Sequence, residues 1–313
     1  MTKVFINGGS GTTGLRIVER LSACADIELV SLPEELRKDP AAQAELAEQA
    51  DITFLCLPDD ASRALIAALG DTKGRVLDTS TAFRTDARFA YGFPELSPAH
   101  EAAVKQANRV AVPGCHASGA IALLYPLVQA GAISPDAELM LTSLTGYSGG
   151  GKKMIAEYET PGRDGALRSL RSYAVTQHHK HLPEIVHVCG LAETPIFQPV
   201  LGDYYAGMLV SLPLRPNRLR KPLTLGGLTE LYRAHYAGQP LIRVRDANPE
   251  AYLAANAMAG SDGMEIFATG TDERAMVCAR FDNLGKGASG AAIQCMNLML
   301  GLSAQTGLNG SFT

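Results

Sequence analysis

The sequence predicts an α/β protein of two domains, a Rossmann-like domain with a parallel sheet followed by an α+β domain. Short apolar runs alternate with helical patterns over the first third of the chain, and a glycine-rich segment follows the first apolar run directly. From residues 111–117 onward the strands are longer and the loops extend. A chain of 313 residues with 46% apolar side chains is long enough for about two domains. We place the first domain at 1–115, completed by the C-terminal helical segment 284–313, and the second at 116–283.

The predicted elements of the first domain alternate between strand and helix, as in a parallel sheet with right-handed crossovers. They are strands at 4–6, 27–32, 52–57 and 75–77, and helices after the glycine-rich turn, over roughly 40–50 and at 61–69. The second domain is predicted to be mostly antiparallel, with a helix at 117–130 and strands at 138–144, 208–214 and 276–281. A last apolar helix, 288–302, is expected to pack on the first domain.

The composition argues against several classes of function. The 28 basic residues are scattered among 32 acidic ones, so no basic stripe indicates nucleic-acid binding. No run approaches the ~18 apolar residues of a membrane span. The chain enters a strand-like run at once, without the pattern of a secretory signal, so we expect a cytoplasmic protein with no membrane partner.

The glycine-rich turn predicts a dinucleotide site. Gly8, Gly11 and Gly14 lie three residues apart between the first strand and its helix. Glycines allow a sharp turn and let a pyrophosphate approach the helix N-terminus, where backbone N–H groups favour an anion. The spacing differs from the usual GxGxxG, so the prediction depends on the strand–turn–helix context. We assign cofactor binding to this turn, including Ser10, Thr12 and Thr13.

The end of the second strand favours NADP over NAD. An NAD site usually has an acidic residue here to hold the ribose 2′-hydroxyl, whereas this chain has Ser31. Arg37 follows closely and could bind a 2′-phosphate. Glu34 and Glu35 weaken this reading, and a solvated surface charge is the alternative role of Arg37.

Cys115 is the candidate nucleophile. It lies at a Pro-Gly turn before an apolar helix, and a helix N-terminus lowers the pKa of a thiol and so favours the nucleophilic thiolate. Three of the seven histidines fall within 178–181 and could serve as its proton partner. The pair His179 and His181 could also be half of a metal site, but no further ligands are evident nearby, so we predict no metal.

Six segments resemble the N-acetyl-γ-glutamyl-phosphate reductases, in the order and spread found in that family. The chain is similar in length to the shorter of the two family types. The segments are Gly8–Gly14, Tyr91–Leu96, Pro113–Cys115, Gly146–Lys152, His179–Ile185 and Asp282–Gly287.

The resemblance implies a reductase in arginine biosynthesis, with a fold of the semialdehyde dehydrogenase type and a second domain for catalysis and oligomerisation. N-acetyl-γ-glutamyl phosphate would be reduced by NADPH to N-acetylglutamate 5-semialdehyde with release of phosphate. Cys115 would form a thioester that accepts hydride. His181 would be the acid–base residue, with His179 as second choice, and Glu184 would orient the histidine.

The resemblance also implies contacts with the substrate and the cofactor. Arg84, with Ser80 in the same segment, would bind the substrate. A phosphate of the cofactor stays open as the ligand of Arg84, and a structural salt bridge is nearly as well supported. Ser148, Gly149 and Asn283 would approach the cofactor. The family further implies a homo-oligomer, either a dimer or a tetramer.

Three alternatives remain open. An aspartate-semialdehyde dehydrogenase would use the same chemistry on a substrate with a free amine, but the His-x-His-x-Pro-Glu segment 179–184 speaks against it. A paralogue acting on a carrier-bound aminoadipyl phosphate would need a basic rim that the sequence does not show. A non-catalytic NADP-binding regulator would keep the glycines and leave Cys115 without a role.

Overall fold

A computed structural model describes residues 1–70 and 74–312 of the chain. The described residues form two compact units. The first comprises residues 1–113 and 288–308, and the second comprises residues 114–287 and 309–312. Each unit is built around its own sheet. The α/β prediction, a Rossmann-like domain with an α+β domain, is confirmed.

The first unit contains a six-stranded sheet in which every pairing is parallel, with the strand order β2-β1-β3-β4-β6-β5. The strand order switches at β1, because β2 pairs with one edge of β1 and β3 pairs with its other edge. Ligands of doubly wound folds bind at such a switch point. The strands are β1 (Thr2–Asn7), β2 (Ile27–Val30), β3 (Ile52–Leu55), β4 (Arg75–Asp78), β5 (Ala90–Tyr91) and β6 (Arg109–Ala111).

Alternate residues of these strands supply two hydrophobic clusters, as expected for a sheet covered on both faces. Val4 belongs to one cluster and Phe5 to the other. Capping residues fix where the helices begin, since Asp39 accepts hydrogen bonds from the backbone N–H groups of Ala41 and Ala42. The helices before residue 114 are α1 (Thr12–Leu21), α2 (Pro40–Gln49), α3 (Asp59–Leu69) and α4 (Pro98–Gln106).

The second unit contains a seven-stranded mixed sheet with the order β11-β12-β13-β10-β7-β9-β8. Four of its pairings are antiparallel, while β7 with β9 and β11 with β12 are parallel. The strands are β7 (Met140–Gly146), β8 (Arg171–Ser172), β9 (Ile196–Gly202), β10 (Met208–Leu214), β11 (Ile242–Val244), β12 (Met264–Gly270) and β13 (Ala275–Phe281).

A long apolar helix packs on this sheet and carries the candidate nucleophile at its first position. Gly119 lets the helix approach closely, because a Cβ there would lie 2.5 Å from Val210 Cγ2 and 2.8 Å from Phe281 Cε1. Residues 116–127 of the helix are all buried, which explains its lack of a polar face. The helices of this unit are α5 (Cys115–Gln129), α6 (Gly151–Glu159), α7 (Leu182–Cys189) and α8 (Leu225–His235).

The C-terminal helix α9 (Gly290–Met299) contributes Ile293 and Met296 to one cluster of the first unit, as the sequence predicts. It is shorter than predicted. A π-helical turn, Gly285–Ser289, precedes it, and Gly301 at φ +74° follows it in the left-handed conformation typical of residues just past a helix end. No helix within 1–70 or 74–312 is long and apolar enough to cross a membrane.

Candidate active site

The glycine turn after β1 has the shape of a phosphate cradle. Gly8 adopts φ +85°, and a Cβ at this position would overlap the carbonyl oxygen of Cys56, which follows β3. At Gly14 a Cβ would lie 2.6 Å from the carbonyl oxygen of Gly8. The Gly11 N–H donates to that same oxygen at 3.0 Å. Glycine is therefore required for the tight path of the turn, at the switch point of the sheet.

The helix that follows the turn has an N-terminus suited to an anion. Gly11 is the N-cap of α1, its first turn has no acidic residue, and no side chain among the described residues caps it. Asn7, at the end of β1, is 6% exposed, and its Nδ2 has no hydrogen-bond partner in the part of the chain that the structure describes. Because uncapped N–H groups and an unpaired buried amide suit a bound anion, these residues fit a dinucleotide.

The residues predicted to choose between NADP and NAD lie on the surface of the first unit. Ser31 is exposed and follows the last residue of β2. The Arg37 guanidinium donates to both carboxylate oxygens of Glu34, at 2.7 and 2.9 Å. Binding of a 2′-phosphate by Arg37 would therefore compete with this ion pair.

Cys115 is the first residue of α5 and is half-buried. Gly114 is the N-cap, without a side-chain cap among the described residues, and the helix has no acidic residue in its first turn. The Gly114 N–H donates to Glu184 Oε1 at 2.9 Å, and Glu184 is 1% exposed. Cys115 therefore lies at the positive end of the α5 dipole, a position that in general favours a thiolate.

Three imidazoles gather beside the start of α5. The ring centroids of His179 and His181 are 4.9 Å apart, and those of His116 lie 5.3 and 5.6 Å from them respectively. His181 is 4% exposed and immediately precedes α7. Burial, followed by the charge of Lys180, lowers the pKa of His179 to about 4. His179 is therefore neutral at physiological pH.

His116 is a member of this cluster that the sequence analysis missed. It is 3% exposed, and its Nδ1 and Nε2 each lie 2.6 Å from a hydroxyl, Ser143 Oγ and Tyr173 Oη respectively. Burial, followed by the charges of His179 and Lys180, lowers its pKa to about 3. The signal that could have found it is a histidine next to Cys115 inside an otherwise apolar helix.

The segment that carries Tyr173 and His179 is held in an unusual backbone conformation. Ala174 and Gln177 have φ of +48° and +61°, in the left-handed region that residues other than glycine rarely adopt. The Gln177 side-chain amide holds this conformation in place. It donates to the Phe197 carbonyl at 3.1 Å and accepts from the Phe197 N–H at 2.9 Å. Such strain persists where surrounding contacts enforce it, often at functional sites.

Family models match both parts of the chain. Residues 31–104 match the model described as "Semialdehyde dehydrogenase, NAD binding domain", and residues 115–283 match "Semialdehyde dehydrogenase, dimerisation domain". A protein named N-acetyl-gamma-glutamyl-phosphate reductase from Chelativorans sp. is 44% identical over 309 residues, covering 95% of this chain and 98% of that protein. The chain belongs to the N-acetyl-γ-glutamyl-phosphate reductase family. The resemblance predicted from the sequence is thereby confirmed, and the chain is an oxidoreductase with a nicotinamide cofactor.

A second relative belongs to the same family, and two solved structures share the fold. A protein named N-acetyl-gamma-glutamyl-phosphate reductase 2 from Pseudomonas putida is 41% identical over 303 residues, covering 95% of this chain and 96% of that protein. Two solved aspartate semialdehyde dehydrogenases share the fold. The Vibrio cholerae enzyme complexed with ASA has a TM-score of 0.70 at 16% identity, covering 96% of this chain and 98% of its own. The Francisella tularensis enzyme has a TM-score of 0.71 at 14% identity, covering 96% of this chain and 100% of its own.

Arg84 and Ser80, which the reductase resemblance assigned to the substrate, lie buried in the first unit. Arg84 Nε donates to the carbonyl of Val112 and Nη2 to that of Thr79, both at 3.0 Å. The Ser80 hydroxyl donates to Asp78 at 2.6 Å and accepts from the Ala82 N–H. These contacts fix the segments after β4 and β6, and binding of the substrate phosphate by Arg84 stays a prediction.

Ser148 and Asn283, assigned to the cofactor, are hydrogen-bonded to each other. Asn283 Nδ2 donates to Ser148 Oγ at 2.9 Å, and Asn283 Oδ1 accepts from the Gly207 N–H at 2.8 Å. Both side chains are no more than 2% exposed, whereas Gly149 is exposed. The pair therefore positions the loop of this reductase that bears Gly149, and direct contact with the cofactor stays a prediction.

The other cysteines of this family member do not share the setting of Cys115. Burial raises the pKa of Cys56 to about 12 and of Cys278 to about 11, and also raises that of Cys189. None of the six cysteines forms a disulfide, and no group of three or more His, Cys, Asp or Glu side chains in the described ranges could hold a metal ion. Cys115 is thus distinguished by its helix N-terminus and its imidazoles.

Proposed function

We propose that this chain reduces N-acetyl-γ-glutamyl phosphate to N-acetylglutamate 5-semialdehyde with NADPH, releasing phosphate, as a step of arginine biosynthesis. One observation carries the proposal. In a chain of this family, Cys115 begins an uncapped helix whose N-cap, Gly114, is held by Glu184, and three buried or half-buried imidazoles lie beside it. A thiolate at such a position is a nucleophile suited to an acyl phosphate.

In the first half-reaction, the Cys115 sulfur attacks the acyl carbonyl carbon. A carbon–sulfur bond forms and the bond between that carbon and the phosphate oxygen breaks, so phosphate leaves with the electron pair. The product is a thioester on Cys115. The first-turn N–H groups of α5 favour the thiolate over the thiol before the attack.

In the second half-reaction, the thioester is reduced by two electrons. The nicotinamide cofactor, when bound, supplies a hydride for the carbonyl carbon. The resulting thiohemiacetal oxyanion on Cys115 collapses, its carbon–sulfur bond breaks, and aldehyde and thiolate are released. His181 holds and returns the proton that moves on and off the sulfur and the adjacent oxygen.

His181 is the proposed acid–base residue because it is the histidine that the family resemblance assigns, and His179 is set aside on its own lowered pKa. A general acid or base works best when its pKa lies near the working pH. The pKa of His179 lies near 4, because of burial and the charge of Lys180, so His179 stays neutral throughout the physiological range. We assign His179 to orienting its neighbour, since its Nδ1 accepts from the backbone N–H of His181 at 3.3 Å.

Residues of the first unit would hold the cofactor. The turn of Gly8, Gly11 and Gly14 with the α1 N-terminus suits the pyrophosphate, with Ser10, Thr12 and Thr13 as neighbouring donors. NADP is proposed because the exposed Ser31 replaces the carboxylate that an NAD site places after the second strand. Arg37 would bind the 2′-phosphate in exchange for Glu34.

Self-association through the second unit is also proposed. Its matched family model is described as a dimerisation domain. Met140, Ile196 and Met276 are 41%, 59% and 42% exposed and lie on one face of the seven-stranded sheet by strand register. Exposed apolar side chains on one sheet face are suited to a second copy of the chain. Light scattering coupled to size-exclusion chromatography would give a dimer or tetramer mass if the proposal holds and a monomer mass if it fails.

Phosphate-dependent reduction of NADP⁺ tests the proposed activity. The assay compares N-acetylglutamate 5-semialdehyde with aspartate semialdehyde, and each with NADP⁺ and NAD⁺. We expect turnover with the acetylated substrate and NADP⁺. Turnover with aspartate semialdehyde alone would reject the proposed substrate, and equal use of both cofactors would reject the NADP assignment.

A further inference from the structure

We propose that a groove beside helix α3 binds the phosphate group of a small molecule through the guanidinium groups of Arg63, Arg88 and Arg109. The lining of this arginine groove contains none of the residues assigned above to catalysis, substrate or cofactor, so the proposal goes beyond the proposed function. All of the lining residues belong to the first unit.

The arginine groove has the size of a small-molecule site. Its volume is about 370 Å³, within the range of ligand pockets. The described residues that line it are Arg63, Ile66, Ala67, Gly70, Phe83, Arg88 and Arg109. This described lining holds three cations and no carboxylate, although acidic residues outnumber basic ones in the whole chain. The fold therefore gathers at one concave surface positive charges that the sequence scatters.

Two of the three guanidinium groups are held in place by aromatic rings. The rings of Phe83 and Phe89 are buried and stack with their centroids 4.3 Å apart. Arg63 Cζ lies 5.5 Å from the centroid of the Phe83 ring, and Arg109 Cζ lies 6.0 Å from that of the Phe89 ring. A guanidinium stacked on a ring face keeps its N–H edges available for an anion. The two donors are thus preorganised, which reduces the entropy lost on binding.

Arg63 offers donors that no other described residue uses. Its guanidinium makes no hydrogen bond or salt bridge with any residue of 1–70 or 74–312. Asp59, one turn earlier on α3, accepts hydrogen bonds from the N–H and the hydroxyl of Thr81. Despite burial, these hydrogen bonds and then the charge of Arg63 lower the pKa of Asp59. The two side chains on α3 therefore interact only through their charges.

The other two arginines are anchored and still have unused N–H groups. Arg88 Nε and Nη2 donate to Asp86 at 3.0 and 2.6 Å, and no described residue accepts from its Nη1. Arg109 Nη2 donates to the carbonyl of Gly70, and no described residue accepts from its Nε or Nη1. Asp86 offsets one of the three guanidinium charges, and the remaining positive charge suits a phosphate dianion better than a single carboxylate.

Such a phosphate can be free or part of an organic molecule. Ile66, Ala67 and Phe83 supply apolar lining beside the guanidinium groups. A phosphomonoester with an apolar body covers this lining, whereas inorganic phosphate leaves it in contact with water. Phenyl phosphate and inorganic phosphate are therefore the two probes. Tighter binding of phenyl phosphate supports the site as one for an organic phosphate, and equal binding supports it as one for the free ion.

Modification of arginines by phenylglyoxal, mapped by peptide mass spectrometry, tests the proposal on the full wild-type chain. The protein is first saturated with NADP⁺, so that the cofactor turn does not take up the probe. We expect millimolar phenyl phosphate to slow the modification of Arg63 and Arg109 at least fivefold, because a bound phosphate occupies their N–H edges. Arg233, an exposed arginine of α8, should react equally with and without the probe.

Binding measured by isothermal titration calorimetry at low ionic strength gives the second test. Arg63→Gln and Arg109→Gln each remove one donor and should raise the Kd of phenyl phosphate at least tenfold. Arg233→Gln is the matched control, because it removes the same charge from an exposed side chain that is paired with Glu230 and Asp246. It should leave the Kd unchanged.

The same Kd in wild type and in both groove variants would overturn the proposal. Protection from phenylglyoxal that is confined to Arg84 would also overturn it, because the phosphate would then lie at the residue assigned to the substrate. The protection experiment needs no variant, so the proposal stays testable where a substitution impairs folding. Failure of the proposed activity is distinct, since it would appear as absent turnover and would leave protection of Arg63 and Arg109 intact.

Discussion

Glu184 Oε1 accepts a hydrogen bond from the backbone N–H of Gly114 at 2.9 Å. The glutamate of the His-x-His-x-Pro-Glu segment thus anchors the N-cap of the helix that Cys115 begins. Orientation of a histidine by Glu184 stays a prediction, whereas this bond joins its carboxylate to the backbone. It ties α7 to the start of α5 across 70 positions of sequence.

Glu184→Ala should therefore weaken both the fold and the nucleophile. It leaves the buried Gly114 N–H without this acceptor, which costs about 1–3 kcal/mol of unfolding free energy. Loss of the anchor should also lower turnover by more than tenfold, because the start of α5 is no longer fixed. Urea unfolding and steady-state kinetics measure the two effects.

Glu184→Gln is the matched control, since its side-chain oxygen can still accept from Gly114. It should recover most of the stability lost in Glu184→Ala. If both variants lose stability equally, the hydrogen bond to Gly114 is not what Glu184 contributes.

The buried imidazole of His116 and the half-buried one of His179 predict a loss of stability in acid. The pKa of His116 falls from 6.5 to about 3 and that of His179 to about 4, because burial disfavours the charged rings. Between these values and 6.5 the unfolded chain binds protons that the folded chain does not, so the free energy of unfolding falls as pH falls below 6.5. Above 6.5 the two rings contribute no pH dependence.

Urea unfolding of the wild type and His116→Phe at pH 7.5, 6 and 5 measures this effect. Each ring adds a slope of at most about 1.4 kcal/mol per pH unit. The wild type should lose stability more steeply than His116→Phe between pH 6 and pH 5. Parallel pH dependence of the two proteins would show that His116 takes up its proton equally in the folded and unfolded states.

The first four strands of the first domain and the helices between them could be predicted because their signals are local, whereas α4, β5 and β6 were not predicted. The strand at Val4–Ile6, the glycine turn and the C-terminal apolar helix follow from periodicity and turn residues over short windows. The second domain was expected to be mostly antiparallel. The parallel pairings of β7 with β9 and of β11 with β12 went unnoticed, because strand pairing depends on distant segments that a local pattern does not encode.

The candidate site likewise contains residues that the sequence predicts and contacts that it does not. Cys115 and the glycines stand out in the sequence because turn and helix-start chemistry is local. The contact of Glu184 with Gly114, and those of His116 with Ser143 and Tyr173, join residues far apart in the chain. For Arg84 the residue type alone suggests a phosphate ligand, but its guanidinium lies buried against the backbone carbonyls of Val112 and Thr79. The sequence does not encode this contact.

Gly14→Ala should disrupt the cofactor turn. The new Cβ would lie 2.6 Å from the Gly8 carbonyl oxygen and 2.8 Å from the Gly9 Cα, so backbone must move. Overpacking of this kind costs about 1–3 kcal/mol, and binding of NADPH, measured by fluorescence titration, should weaken at least tenfold. Gly11→Ala is the steric control, because its Cβ would have an ordinary 3.5 Å neighbour and should leave the fold intact. Equal stability of both variants would contradict the cradle geometry.

Ser31→Asp should change the cofactor preference. A carboxylate after β2 can hold a ribose 2′-hydroxyl and repels a 2′-phosphate. The ratio of kcat/KM for NADPH to that for NADH should fall by at least tenfold. The unfolding midpoint should change as little as is usual for a substitution at an exposed position. Arg37→Ala, which also removes the partner of Glu34, should lower the same ratio. An unchanged ratio in both variants would place the 2′-phosphate elsewhere.

Mass spectrometry of the protein incubated with N-acetyl-γ-glutamyl phosphate and no cofactor tests the covalent mechanism most directly. Because nothing reduces the thioester, an acyl adduct should accumulate on the peptide that contains Cys115 and should be absent in Cys115→Ser. Addition of NADPH should remove the adduct and release the aldehyde. An adduct on another cysteine, or full turnover by Cys115→Ser, would contradict the assignment of Cys115 as the nucleophile.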